Sequence, residues 1–271
     1  MTRRVRLDAE LVRRGLARSR EQAATLIEAG SVTVGGAVAT KAATQVGTDA
    51  AVVVREPTGP TWASRGAHKL LGALAEFEPQ GLQVADRRCL DAGASTGGFT
   101  DVLLRRGVRE VVAVDVGYGQ LVWELQNDPR VAVHDRTNVR TLTPDQIGGT
   151  VDLTVSDLSF ISLRLVMAAL TSCTRPEGDL VLMVKPQFEV GRERLGKNGV
   201  VRDPVLHAEA VLEVCHAAQS EGWGTRALAP SPLPGPAGNV EYFCWLRTDA
   251  PPVDPAAAER AVADGPLEAG A

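Results

Sequence analysis

The chain has 271 residues, 44% hydrophobic and 4% aromatic, with a net charge of -4; that is enough apolar material for a sizeable core in one or two domains. Its longest stretch without a charge, Ala227 to Val240, is rich in Pro and Gly and falls short of the roughly 18 apolar residues of a spanning helix. No apolar run follows the charged start "MTRRVRLDAE", so neither a secretory leader nor membrane insertion is expected, and a cytoplasmic location is.

Charge is unevenly shared. Through Lys69 there are eleven Lys and Arg against six Asp and Glu, and from Leu70 onward 18 against 27. A basic amino-terminal module on an acidic body is expected to dock on a polyanion. Within that module "LDAELVRRGLARSREQAATLIEAG" predicts two short helices, the second opened by a Ser19/Gln22 capping box, carrying Leu26 and Ile27 on its apolar face and closed by Gly30. Gly35-Gly36 in "SVTVGGAVAT" predicts a two-residue hairpin, and "AAVVVRE" a further strand. The expected phosphate contacts are Arg3, Arg4, Arg6, Arg13, Arg14, Arg18, Arg20, Lys41 and, beyond the module, Arg65. The segment resembles the small α+β RNA-binding domain shared by ribosomal protein S-four and pseudouridine synthases. Its expected extent is 1–57, followed by a linker at 58–64 that includes "PTWAS".

From Arg87 strands and helices alternate. "RRCLDAGA", "EVVAVDVG", "VAVHDRTN", "VDLTVSDLS" and "DLVLMVKPQ" read as five strands, separated by "TGGFTDVLLRRG", "YGQLVWELQNDP", a turn at "LTPDQIG" and "ISLRLVMAALTSC". Near-continuous apolar strands between helices predict a parallel sheet covered on both faces. After the helix "PVLHAEAVLEVCHAAQSEG" come "WGTRALAP" and "GNVEYFCWLRT", joined by a Pro-rich connection, Ser231 to Gly238, too short for a crossover helix; the last strand should be antiparallel. This α/β pattern, a seven-stranded mostly parallel sheet, is the outline of a class I (Rossmann-like) methyltransferase over 65–248. The Ala-, Pro- and acid-rich tail at 249–271 is expected to be disordered.

"LDAGASTGGFTDVL" follows a strand and opens a helix, as a glycine-rich cofactor turn must. Gly93, Gly97 and Gly98 allow close backbone approach around Ala94, Ser95, Thr96 and Phe99, and Asp115, at the end of the next strand, suits a pair of ribose hydroxyls. Asp91 ahead of the turn favours the cationic ammonium of S-adenosylmethionine over a pyrophosphate. Val116, Asn138 and Asp157 complete the candidate cofactor residues. Cys89, Cys173, Cys215 and Cys244 are scattered, with no ligand spacing, so neither a disulfide frame nor a metal site is expected; with no Cys at the fourth or fifth strand end, pyrimidine carbon methylation is disfavoured. "SDLSFIS" lacks the Pro-Pro-aromatic pattern of amino-directed enzymes. Asp157 and Lys185 instead end adjacent strands, Glu241 starts the antiparallel strand at the same rim, and Lys69 lies on a helix before the first strand.

This Lys, Asp, Lys, Glu order resembles the tetrad of the FtsJ-like ribose methyltransferases. With "SRGAHKL", "DVGYGQL", "VKPQFEVG" and "PLPGPAGNVEYF", the chain is similar to the TlyA family, departing from it in the linker, where a basic residue before the Trp and a Val after it would be usual. The resemblance implies 2'-O-methylation of cytidine in 16S and 23S ribosomal RNA, with ribosomal RNA or ribosomal subunits as partners, Lys69, Asp157, Lys185 and Glu241 as catalytic residues, and Lys185 as base or as counter-charge to the alkoxide. Two other readings compete. Such families also carry a haemolysin label, which neither a spanning nor a basic aromatic-anchored helix supports; and the chain could be an inactive ribosome assembly factor, which the intact motifs oppose. Nothing in the sequence fixes an oligomeric state.

Overall fold

A computed structural model describes residues 4–28, 30–54 and 61–265, which form two compact units, Met1–Arg65 and Gly66–Ala271. In the first, β1 (Arg4–Arg6) pairs antiparallel with β4 (Gln45–Gly47), and β3 (Ala37–Val38), β2 (Val32–Val34) and β5 (Val52–Val54) form a three-stranded sheet in that order. Gly35 and Gly36 both take positive φ, 58° and 88°, the requirement of a type I′ hairpin turn, and they set Val34 opposite Ala37. Helices α1 (Leu7–Arg13) and α2 (Arg20–Glu28) close over these strands through Leu7, Leu11, Ala23, Ile27, Val32 and Val46, all buried. Ser19 Oγ accepts from the Gln22 N–H at 3.1 Å, but Gln22 Oε1 returns to the N–H of Arg18 rather than of Ser19. The predicted capping box is therefore wound one residue wider.

The second unit holds seven strands in the order β11-β12-β10-β9-β6-β7-β8: β6 (Arg88–Ala92), β7 (Glu110–Val114), β8 (Val131–His134), β9 (Val151–Ser156), β10 (Thr174–Val184), β11 (Gly224–Pro230) and β12 (Tyr242–Arg247). β12 runs antiparallel between β10 and β11, as the short connection before it requires. The chain winds outward from β6 to β8, then returns to place β9 on the other side of β6, so the carboxyl ends of β6 and β9 flank the topological switch point where ligands bind in such sheets. Flanking helices are α3 (Gly66–Phe77), α4 (Gly98–Arg105), α6 (Met167–Cys173) and α8 (Pro204–Ser220), with single turns α5 (Trp123–Gln126) and α7 (Pro186–Glu189). The crossover predicted as a helix in "YGQLVWELQNDP" thus reduces to four residues, because Leu121 and Leu125 must reach down onto Gly97.

The tail departs from expectation. Residues 255–263 form α9 (Pro255–Ala263), capped by Asp254, whose carboxylate accepts from the Ala256 N–H at 3.0 Å. Ala258, Ala261 and Val262, spaced as one helical face, are buried; Ala258 and Val262 join the core shared with α8. Acidic, Ala-rich composition suggested disorder, but small side chains on one face let a helix lie close against its neighbours, and the Asp-Pro start is a capping signal. Residues 266–271 of the expected tail lie outside the described residues.

Candidate active site

β6 ends at Asp91 and Ala92, and the chain turns through 93–97 into α4. Gly93 has φ +91°, and a Cβ there would meet the Asp157 carbonyl oxygen at 2.9 Å, so only glycine lets the turn and the β9 end approach this closely. The N–H groups of Gly93 and Ala94 donate to the Val114 carbonyl at 2.8 and 3.1 Å; Ser95 takes φ 47° and its N–H donates to Asp115 Oδ2 at 2.8 Å. Gly97, φ +99°, leaves room for Leu121 and Leu125, and Gly98 opens α4. Thr96 closes the turn from above, its carbonyl accepting from the Val122 N–H at 3.3 Å.

Asp91 is fully buried; its Oδ2 accepts from Thr100 Oγ1 at 2.7 Å, while Oδ1 has no partner. Burial pushes this carboxyl up to about 7, with Thr100 opposing and the negative charge of Asp157 adding to the rise. A buried carboxylate oxygen without a donor suits a cationic group and would repel a phosphate. Asp115 also accepts from the Gly117 N–H at 2.7 Å through Oδ1; each of its oxygens keeps a second lone pair, so it could still take ribose hydroxyls. These groups fit S-adenosylmethionine. Val116 is exposed. Asn138 is committed to capping a turn, accepting from the Arg140 N–H at 3.0 Å, and Phe99 is buried with its ring 6.2 Å from that of Phe243.

The four charges expected to meet at the rim form two ion pairs. Lys69 Nζ lies 2.5 Å from Glu241 Oε2, both nearly inaccessible, and Lys185 Nζ lies 2.6 Å from Asp157 Oδ1. The sheet explains the assembly: Leu182 is level with Ser156 on β9, and Val184 with Tyr242 on β12, so one step further Asp157, Lys185 and Glu241 emerge at one edge. Lys69 reaches them from the buried face of α3. Gly235 packs directly against this carboxylate, since a Cβ there would come within 2.7 Å of Glu241 Oε1. Two partners escaped the sequence reading: Ser159 Oγ accepts from Lys185 Nζ at 2.9 Å, and Gln187 Nε2 approaches Glu241 Oε1 at 3.5 Å. Their only signal was adjacency to Asp157 and Lys185.

Phe160 was missed too. It is 92% exposed with φ 64°, its ring 5.4 Å from Phe188. Tyr118, on the loop after β7, and Trp123, at the start of α5, are also exposed, and Arg136 lies over the Tyr118 ring at 4.3 Å. Periodicity cannot distinguish an exposed aromatic from a buried one in a short loop.

In the first unit the arginines prove to be organised by two buried acids. Asp8 pairs with Arg6 and Arg20 at 3.0 and 2.9 Å, and Glu10 with Arg13 and Arg14 at 2.5 and 2.7 Å. The hydrogen bonds from Arg6 and Arg13, ahead of the other contributions, hold these two carboxyls well below the usual range. Arg14 further donates to the Ala50 and Thr48 carbonyls, a structural role. Arg6, Arg13 and Arg20 keep about half of their side chains in solvent. Arg4, Arg18, Lys41 and Arg65 are exposed and enter no ion pair among the described residues. Arg3 lies outside the described residues.

Sheet order and the acid-glycine turn at the switch point define a class I methyltransferase. The FtsJ-like methyltransferase family matches residues 62–248, and the S4 domain matches 5–52. The 16S/23S rRNA (cytidine-2'-O)-methyltransferase TlyA of Mycobacterium tuberculosis is 58% identical across 98% of this chain and 100% of that protein. Hemolysin A of Brachyspira hyodysenteriae is 35% identical across 88% of this chain and 98% of its own. A solved Streptococcus thermophilus structure, named as a candidate haemolysin, is 38% identical with a TM-score of 0.75, covering 97% of this chain and 96% of that one. The chain belongs to the TlyA group of the FtsJ-like methyltransferase family, with an S4 domain at its amino terminus. No helix among the described residues is long and apolar enough to cross a membrane.

Proposed function

We propose that this cytoplasmic enzyme transfers a methyl group from S-adenosylmethionine to the ribose 2'-oxygen of cytidine in 16S and 23S ribosomal RNA. The observation that carries the proposal is the Lys185–Asp157 pair, 2.6 Å apart, standing beside the glycine turn at the switch point. When bound, S-adenosylmethionine supplies an electrophilic sulfonium methyl. Asp91 would face its ammonium and Asp115 its ribose, while the 93–97 backbone lets it lie close to the strand ends. Lys185 Nζ either takes the proton that the 2'-hydroxyl sheds, having first released the proton it holds in the ion pair, or stays an ammonium and stabilises the developing alkoxide; in both roles Asp157 and Ser159 hold that nitrogen in place. Lys69 and Glu241, buried together, form the wall against which the ribose is oriented, and orientation supplies much of the rate in a displacement of this kind. Phe160 and Tyr118 offer exposed rings on which unpaired bases stack, and the exposed cations of the first unit bind RNA phosphates.

The test is transfer of labelled methyl to purified small and large ribosomal subunits lacking the modification, followed by nuclease mapping. Label at cytidine 2'-oxygens is the expected result; label on bases, or none on either subunit, would overturn the proposal. Replacing Arg18 and Lys41 together by Glu should weaken binding to subunits and lower its salt dependence, with S-adenosylmethionine affinity unchanged.

A further inference from the structure

Glu189 is 3% exposed, carries a carboxylate, and has no part in the transfer described above. Burying a charge costs several kcal/mol unless donors surround it. Here three do. Ser162 Oγ donates to Oε2 at 2.5 Å, the Leu163 N–H to Oε1 at 2.8 Å, and Arg164 Nε to Oε2 at 3.3 Å. Arg164 also donates through Nη2 to the Glu189 carbonyl at 3.0 Å, and its Nη1 pairs with Glu213 of α8 at 2.6 Å. Every donor to the carboxylate comes from residues 162–164, a stretch that begins five residues after Asp157; Glu189 itself stands four residues after Lys185.

Neither of the two segments joined in this way can fix its own geometry. α7 is a single turn of four residues, too short to persist alone, and the segment after β9 contains Phe160 in the left-handed region, at φ 64°, a costly state for a bulky residue. They meet at three levels: Lys185 with Asp157 and Ser159 at the rim, Phe160 with Phe188 on the outside, and Glu189 with residues 162–164 within. The innermost joint has the most partners, and its acceptor, Glu189, is the most deeply buried side chain of the three joints.

We infer that Glu189 is a positioning residue, a brace that locks the segment after β10 to the segment after β9 and so holds Lys185 Nζ against Asp157. Burial keeps this carboxyl above the ordinary range, against the pull of the Ser162, Leu163 and Arg164 donors, which is the mark of a group retained for its bonds at an energetic cost. The brace touches neither Lys69 nor Glu241, so its loss releases one ion pair and leaves the other. The role in transfer rests on the proposed function; the geometric role does not.

The test uses full-length Glu189→Ala, Glu189→Gln and Ser162→Ala proteins with two readouts. The first is the rate at which an amine-acylating reagent labels Lys185 and Lys69, measured by peptide mass spectrometry without RNA. The second is single-turnover methyl transfer to ribosomal subunits at saturating S-adenosylmethionine. A brace predicts faster labelling of Lys185 in Glu189→Ala with Lys69 still protected, transfer slowed about 10- to 100-fold, and cofactor affinity retained. Glu189→Gln keeps an acceptor for the Leu163 N–H, but its NH2 cannot accept from Ser162 Oγ or Arg164 Nε, so it should fall between wild type and Glu189→Ala in both readouts. Ser162→Ala, which retains the charge and two donors, should move Lys185 labelling in the same direction by less, and it carries the test if Glu189→Ala fails to fold. Unchanged Lys185 labelling in Ser162→Ala and Glu189→Ala, or equal gains at Lys185 and Lys69, would overturn the inference. Wild-type protein without transfer to either subunit would remove the proposed function while the labelling still decides the brace.

Discussion

The two ends of the seven-stranded sheet treat buried charge in opposite ways. Where β9 begins, Asp179 of β10, level with Leu153, is fully buried and surrounded by donors: Trp245 Nε1 at 2.7 Å and Arg247 Nη1 at 3.0 Å reach Oδ1, and Arg87 reaches Oδ2. Asp152 beside it accepts from the Arg88 N–H at 2.8 Å and pairs with Arg175. At the carboxyl ends, Lys69 and Lys185 are paired one to one, and three of the five buried polar atoms without a hydrogen-bond partner among the described residues lie there, Asp91 Oδ1, Ser156 Oγ and Gln187 Oε1; of the other two, at the opposite end, Asp152 Oδ1 is ion-paired with Arg175 and Thr225 Oγ1 is not. Donors in excess make a joint; groups left short of partners are held ready for a ligand. If that contrast is right, damage at the first end reads out as stability and damage at the second as binding and catalysis.

The largest effect should follow Asp179→Ala, which leaves Arg87, Arg247 and the Trp245 N–H without their acceptor. Breaking such a buried pair costs on the order of 3 kcal/mol, so the thermal midpoint should drop by several degrees while methyl transfer at low temperature persists. A variant that melts normally yet fails to transfer would reverse the roles assigned to the two ends.

Next comes Lys185→Ala, expected to slow methyl transfer by roughly 10²-fold or more with little change in melting or in cofactor affinity. Lys185→Arg sharpens it: Arg keeps the charge but does not release its proton at ordinary pH, so a base at Lys185 leaves the Arg variant inactive, whereas substantial rescue in a single-turnover assay would make the nitrogen a counter-charge. Asp115→Ala is a smaller lesion. Two ribose hydroxyls and the Ser95 and Gly117 N–H groups lose their acceptor, at about 1–3 kcal/mol in binding, so calorimetry should show S-adenosylmethionine affinity lowered about tenfold or more; unchanged affinity would remove Asp115 from the cofactor site.

The last effect is one of pH. Burial holds Asp91 up near 7 while the unfolded chain releases the same proton near 3.8, so the folded state binds more protons between those values and stability should fall as pH rises through that window. Asp91→Asn should flatten the fall, measured as urea midpoints across the window. Equal slopes in both proteins would mean that Asp91 is not the group responsible.

How much of this was legible beforehand depends on the range over which each feature is decided. The Gly35-Gly36 hairpin, the 93–97 turn and the strand-helix alternation follow from local backbone preferences, and each is present where its residues predict it. α9 runs against its composition because the Asp254 cap and the Ala258/Ala261/Val262 spacing outweigh an acidic, Ala-rich content. The seven arginines near the amino terminus were counted as free charge, yet four of them answer to Asp8 and Glu10, a pairing that net charge conceals. Asn138 caps a turn through Oδ1 and Phe99 packs near Phe243, contacts that the local sequence does not show.

The sequence by itself determined the class of sheet, the antiparallel last strand and the glycines that admit a cofactor, because turn chemistry, connection length and burial periodicity act over a few residues. It also placed Asp157, Lys185 and Glu241 at one rim, with Lys69 joined to them only through the family resemblance. Which cation pairs with which acid was left to the tertiary structure: Lys69 finds Glu241 across 172 positions of chain, and Lys185 takes Asp157 only because β9 and β10 lie in parallel register. So was the Glu189 brace, whose donors come from a segment that no local pattern connects to it. A side chain meets such partners through strand order, and strand order is set by the burial of the whole sheet rather than by any stretch of it.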